Sequence, residues 1–151
     1  MRVEANRLVL ADTGFWIALY DKSDQHHEKA VKIMEQAAVG RFLFPWPLHY
    51  ELLRTRFVRR AGWVESFLGI IKQQRIQSID DVPYRERALQ LAMDWARNSD
   101  RSISLVDMVV RLVLDHSEHR IDALITFNPG GLFGCLPQQG NSPATRGALI
   151  V

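Results

Sequence analysis

The sequence predicts an α/β fold, a mainly parallel sheet of about four or five strands covered by helices. Short, largely apolar runs at Leu8–Ala11, Arg41–Phe44 and Asp122–Phe127 suit buried strands and are too short for helices. Between them lie segments whose apolar residues recur at i, i+3 and i+4, the period of an amphipathic helix. The resulting order, β-α-α-β-α-α-β-α-α-β, puts a helical crossover between successive strands, as parallel pairing requires. No internal repeat or compositional boundary divides the chain, and residues 1–151 read as one domain.

A chain of 151 residues with 47% hydrophobic and 24% charged residues has an ordinary globular composition. Every apolar stretch is broken within about a dozen residues, too soon to span a membrane. The segment Met1–Arg7 lacks a signal peptide's apolar core, so a cytoplasmic location is expected. A single cysteine, Cys135, excludes an internal disulfide and a cysteine-based zinc site. The net charge is +2, so a polyanionic partner has to be met by local charge.

The first strand stops at Asp12, and Thr13 opens a helix with Trp16, Leu19 and Tyr20 at helical spacing. Asp12 suits two roles, an N-cap of that helix or a functional acid at the carboxyl end of a strand. A polar turn follows, with Ser23 or Asp24 as the cap of a second helix whose stripe is Ala30, Ile33, Met34 and Ala37. After the strand ending at Pro45, Pro47 sits in the first turn of a helix predicted to run to Arg60. Tyr50, Leu53 and Phe57 share one face of that helix, and Glu51 lies beside it. Further helices are predicted over 63–74, 84–99 and 104–116, the last apolar nearly all round and so expected to be central. Arg75–Ile79 alternates as a half-buried strand. Residues 129–147 are rich in Gly, Pro, Gln, Asn and Ser and read as irregular, while Ala148–Val151 offers an edge strand.

Three carboxylates hold comparable places. Asp12 ends a strand, Glu51 lies early in a helix just past a strand, and Asp107 opens the apolar helix. Acids gathered at one end of a sheet repel one another unless a cation intervenes. Hard oxygen ligands of this kind suit Mg²⁺ or Mn²⁺. Each acid also has a plain structural role open to it. Glu51 can pair with Arg54, and Asp107 can close a capping box with Ser104 or pair with Arg111.

The whole arrangement resembles the PIN domain family. Asp12-Thr13 followed by Ala18-Leu19, then Asp24 and His27, is similar to its opening motif. Pro47-Leu48-His49-Tyr50-Glu51-Leu52 resembles the second motif, Ser104-Leu105-Val106-Asp107-Met108 the third, and Ala123 to Asn128 the fourth. The resemblance runs from about residue 8 to about residue 128 and implies a metal-dependent ribonuclease, many of whose relatives are toxins of toxin–antitoxin pairs. It implies that Asp12, Glu51 and Asp107 are catalytic, metal-binding acids for Mg²⁺ or Mn²⁺, with Thr13, Thr126 and Asn128 lining the site. It also implies an antitoxin protein as partner, and a homodimer. The family's fourth motif usually ends in Asp, where this chain has Asn128. Asp122 cannot replace it, being about 20 Å away along the strand at ~3.3 Å per residue.

The reaction implied is hydrolysis of RNA phosphodiester bonds. Arg54, Arg56, Arg59 and Arg60 follow Glu51 and suit contacts to RNA phosphates, though a solvated helix face is also open to each. Trp46 and Trp63 flank them and suit either base stacking or core packing, the latter preferred. His26, His27 and His49 read as surface or packing residues rather than a general base. A catalytically weakened RNA- or protein-binding module is the competing reading, favoured by Asn128. A nucleotide-binding domain is set aside because no GxGxxG or GxxxxGK[ST] loop follows a strand.

Overall fold

The computed structural model describes residues 7–36, 40–100, 103–116 and 120–128. Ala37, Cys135, the segment 129–147 and the edge strand offered by Ala148–Val151 lie outside the described residues. The elements run β1 (Leu8–Ala11), α1 (Thr13–Tyr20), α2 (His27–Gln36), β2 (Arg41–Pro45) and α3 (Trp46–Leu53). A 3-10 turn (Arg56–Arg59), α4 (Ala61–Lys72), β3 (Ile76–Ile79), α5 (Val82–Asn98), α6 (Leu105–His116) and β4 (Ala123–Ile125) follow. The four strands pair in parallel in the order β3-β2-β1-β4. This is the α/β architecture expected from the alternation of strand and helix periods.

The central strands are apolar on both faces, as strands covered by helices on each side must be. Val9, Leu10 and Ala11 of β1 and Phe42, Leu43 and Phe44 of β2 are all buried. Phe42 and Phe44 point the same way, two residues apart, and meet Trp16 of α1 at ring distances of 4.9 and 5.8 Å. Trp16 also packs edge-on against Phe67 of α4 at 5.2 Å, so one aromatic cluster ties α1 and α4 to the sheet. From α6 come Met108, Val109, Val110, Leu112 and Val113, all buried.

Three expectations are corrected. The helix predicted to run to Arg60 ends at Leu53, because Thr55 Oγ1 bonds back to the Leu52 carbonyl at 2.7 Å and accepts from Phe57 N at 3.2 Å. Such local side-chain bonds compete with the helical ladder. In consequence α3 buries Pro47, Leu48 and Leu52 and turns Tyr50 and Leu53 outward, while Phe57 enters the core from the 3-10 turn. Helix α6 is not buried all round, since Leu105 is exposed at its start.

Candidate active site

The strand order places a topological switch between β1 and β4. The chain moves outward from β1 through β2 to β3, then returns to the other side of β1 as β4. In open parallel sheets the crevice beyond the strand carboxyl ends at such a point is where ligands bind. Asp12 follows β1 there, and Thr126 follows β4.

Asp12 caps α1. Its backbone is extended, and Oδ1 accepts from Phe15 N at 2.9 Å. Its own N–H donates to the Ile125 carbonyl at 3.1 Å, carrying the β1–β4 ladder one residue past the strand. Oδ2 accepts the Thr126 hydroxyl at 2.5 Å. The cap and the acid at the crevice are therefore one residue, not alternatives. Burial pushes the Asp12 carboxyl above the usual carboxylate range against the pull of these bonds, and the nearby Asp107 charge pushes it further. Gly14 leaves the Oδ1 edge uncovered, since a Cβ there would stand 3.4 Å from that oxygen.

Thr126 is fully buried and accepts from Asn128 N at 3.1 Å while donating to Asp12. Thr13, buried at the first position of α1, donates its hydroxyl to Glu51 Oε2. Among the described residues no ion pair joins Glu51 to Arg54. Asp107 lies in the first turn of α6, where its N–H donates to Ser104 Oγ at 3.0 Å, half of the expected capping box. Burial raises its carboxyl too, opposed by a hydrogen bond with the Ser104 side chain. Asp122 sits at the other end of the sheet, as its spacing requires. It accepts from Leu8 N at 2.9 Å and donates its own N–H to the Leu8 carbonyl at 2.8 Å.

The donor set is all oxygen, the chemistry of Mg²⁺ or Mn²⁺ rather than of a thiophilic metal. Among the described residues no three His, Cys, Asp or Glu side chains gather tightly enough to enclose an ion. The fit is to a partly hydrated cation, because magnesium commonly takes one or two carboxylates and keeps several waters. Asp107 is the acid whose charge reaches Asp12, whereas Glu51 accepts from Thr13, the residue that follows Asp12.

The four arginines separate. Arg56 is tied to Asp21 at 2.8 Å, with Asp24 at 4.0 Å, and bridges the α1–α2 turn to the 3-10 turn. Arg60 stands over the Trp63 ring at 5.7 Å. Arg54 and Arg59 are exposed, with no ion-pair partner among the described residues. Trp46, expected in the core, is 46% exposed on α3. The histidines pack: His27 Nδ1 lies 2.8 Å from the Ala18 carbonyl, His49 Nε2 3.1 Å from Ser78 Oγ, and the His26 ring stacks on Phe127. That last contact had no sequence signal, since the two residues come from distant parts of the sequence.

No family profile and no curated protein matches the chain. Solved structures do. The crystal structure of Mycobacterium tuberculosis VapC20, a sarcin–ricin loop cleaving toxin, matches with a TM-score of 0.54 at 19% identity. The match covers 77% of this chain and 86% of that one. VapBC2 from Rickettsia felis, bound to a DNA fragment from their promoter, matches with a TM-score of 0.53 at 11% identity, over 81% and 89% of the two chains. At these identities the likeness is one of fold. The protein has a PIN-like α/β fold, the fold of these VapC structures.

Proposed function

We propose that this protein is a metal-dependent endoribonuclease that hydrolyses RNA phosphodiester bonds, the toxin of a cytoplasmic toxin–antitoxin pair. The observation that carries this reading is Asp12, a carboxyl at the topological switch point that is held by Thr126 and raised by burial and by the charge of Asp107. Burial raises both carboxyls, so their ionised forms cost stability that a bound cation would offset. The likeness to VapC folds supports the same reading.

Asp12 and Asp107 would hold Mg²⁺ or Mn²⁺. The ion, when bound, supplies Lewis acidity and a water of lowered pKa. Thr126 fixes the direction of the Asp12 carboxylate, and Glu51, held by Thr13, is the acid placed to orient an attacking water. Arg54 and Arg59 are the arginines available for RNA phosphates, and Arg56 and Arg60 keep to their intramolecular partners. An antitoxin is the protein partner proposed. A homodimer is proposed through α3, where Trp46, Tyr50 and Leu53 form an exposed apolar stripe at i, i+4 and i+7. A two-fold contact pairs such a stripe with its own copy.

Asn128 favours a second reading, a PIN-like module that binds RNA or protein with weakened chemistry. RNA cleavage with Mn²⁺ or Mg²⁺, compared with chelator and with Asp12→Asn, separates the two. Metal-dependent cleavage lost in Asp12→Asn supports the nuclease. RNA binding without cleavage under every condition supports the module.

A further inference from the structure

We infer that His26 is a positioning residue of this site, acting through the ring of Phe127. The inference rests on the nuclease reading for its effect on cleavage, but not for its geometry. The two rings are stacked nearly parallel, 8° apart with centroids at 4.4 Å. Phe127 stands between Thr126, which holds Asp12, and Asn128, whose N–H donates to Thr126 Oγ1. A continuous path therefore runs from the His26 ring through Phe127 and the Asn128 amide to the Thr126 hydroxyl and Asp12 Oδ2.

His26 is itself held firmly. Asp24 Oδ1 accepts its backbone N–H at 2.8 Å, and the next residue, His27, is anchored to the Ala18 carbonyl of α1. The α1–α2 turn thus presents the His26 ring from a held backbone to Phe127 beyond β4. The Phe15 ring also lies near Phe127, at 6.4 Å, so Phe127 has two aromatic neighbours. A hydroxyl that accepts one N–H keeps its own hydrogen for another acceptor. With the Asn128 amide in place, the Thr126 hydroxyl is directed at Asp12. Without the His26 ring, residues 127 and 128 gain freedom and the hydroxyl loses that guide. Sites depend on such outer partners, whose removal typically costs about 10- to 100-fold in metal affinity or activity.

The test uses the full chain with His26→Ala, His26→Phe and Phe127→Leu, each checked for folding by thermal melt. Hydrogen exchange at the Asn128 amide is followed without metal, and RNA cleavage is followed with Mn²⁺. His26→Ala should speed Asn128 exchange about tenfold and lower kcat about tenfold, the low end of the range for outer partners, with KM for RNA unchanged. His26→Phe should restore both, because a phenyl ring stacks as an imidazole does but cannot transfer a proton. The double variant His26→Ala/Phe127→Leu should be no worse than either single one, as expected for residues in one chain of contacts. Unchanged Asn128 exchange in His26→Ala would overturn the inference, as would His26→Phe cleaving no better than His26→Ala. A wild-type chain that cleaves nothing with any metal would remove the nuclease reading, and the exchange comparison would still decide the positioning role.

Discussion

Thr126 Oγ1 and Asp12 Oδ2 meet at 2.5 Å although 114 residues separate them in sequence. The contact closes the gap between the carboxyl ends of β4 and β1, the point where the strand order reverses. It joins fold to chemistry, because the parallel β1–β4 pairing of Ala11 with Ile125 brings the two following residues side by side. A buried carboxylate needs fixed donors to stay ionised, and Thr126 supplies one without adding charge.

Removing that donor should therefore cost more than a methyl's worth of packing. Thr126→Val keeps the shape but leaves Asp12 Oδ2 without its side-chain donor, and it should destabilise the protein at neutral pH by about 1–3 kcal/mol. Thr126→Ser should retain most of the stability. Chemical denaturation at pH 7 measures both. A loss in Thr126→Ser with none in Thr126→Val would show that the methyl group, not the hydroxyl, matters there.

Asp12→Asn should raise the stability of the metal-free protein at neutral pH. Burial raises the folded carboxyl above the ordinary value of 3.8, so between the two the native state holds a proton that the unfolded chain has released. Stability then falls as pH rises through that window, and the full penalty persists above it. Asn is as good an N-cap as Asp, so the bond to Phe15 N survives the exchange. A melt in chelator at pH 7 should show a gain of a few °C, the size of shift that ~1 kcal/mol gives a small domain. The gain should shrink as pH falls toward the ordinary carboxylate value. A gain independent of pH would assign it to something other than ionisation.

The sheet was legible in the sequence because both faces of β1 and β2 are covered, so each strand is a short unbroken apolar run bounded by Asp12 or Pro45. The end of α3 was not, because periodicity carries on past Leu53 while one hydroxyl, Thr55 Oγ1, diverts the backbone. That single break took Phe57 off the face predicted to hold it with Tyr50 and Leu53. The acids were legible as strand-end and helix-start residues. Their connections were not: Thr13 to Glu51 and His26 to Phe127 are contacts between distant elements, and no local spacing encodes them.

The separation of the arginines gives a sharper expectation for RNA. Each phosphate contact on a single strand contributes a slope of about −0.7 in log affinity against log salt. Arg54→Gln and Arg59→Gln should each weaken binding and flatten that slope. Arg56→Gln should leave the slope unchanged and lower stability slightly instead, because its partner is Asp21 on the protein surface. Binding titrations across salt concentrations check this, and a flatter slope in Arg56→Gln would return that residue to the RNA surface.

The α3 stripe makes a separate prediction about assembly. Leu53 is 58% exposed beside Trp46 and Tyr50, so Leu53→Arg should not disturb the core. In a two-fold contact the new charge is met twice, once from each copy. The variant should run as a monomer by light scattering where the wild type runs as a dimer, with an unchanged melting temperature when both are dilute. A wild-type monomer, or a variant that remains dimeric, would rule out α3 as the contact.

Asn128 tests the metal site itself. It is exposed just beyond β4, three residues past the last strand position that pairs with β1, and its backbone N–H already belongs to the site through Thr126. An amide oxygen can ligate a hard cation but brings no negative charge, and affinity for such ions follows the charge of the ligands. Asn128→Asp should therefore tighten Mg²⁺ binding and raise cleavage at low metal concentration. It should also lower the stability of the metal-free protein, because a third carboxylate joins Asp12 and Asp107, whose ionised forms are already disfavoured by burial. The backbone bond to Thr126 does not depend on the side chain, so any change reads the charge alone. Calorimetric metal titration, a melt in chelator and RNA cleavage on both forms measure the three effects. If all three are unchanged, the side chain of residue 128 lies outside the site, and the ion, where bound, rests on Asp12 and Asp107 without it.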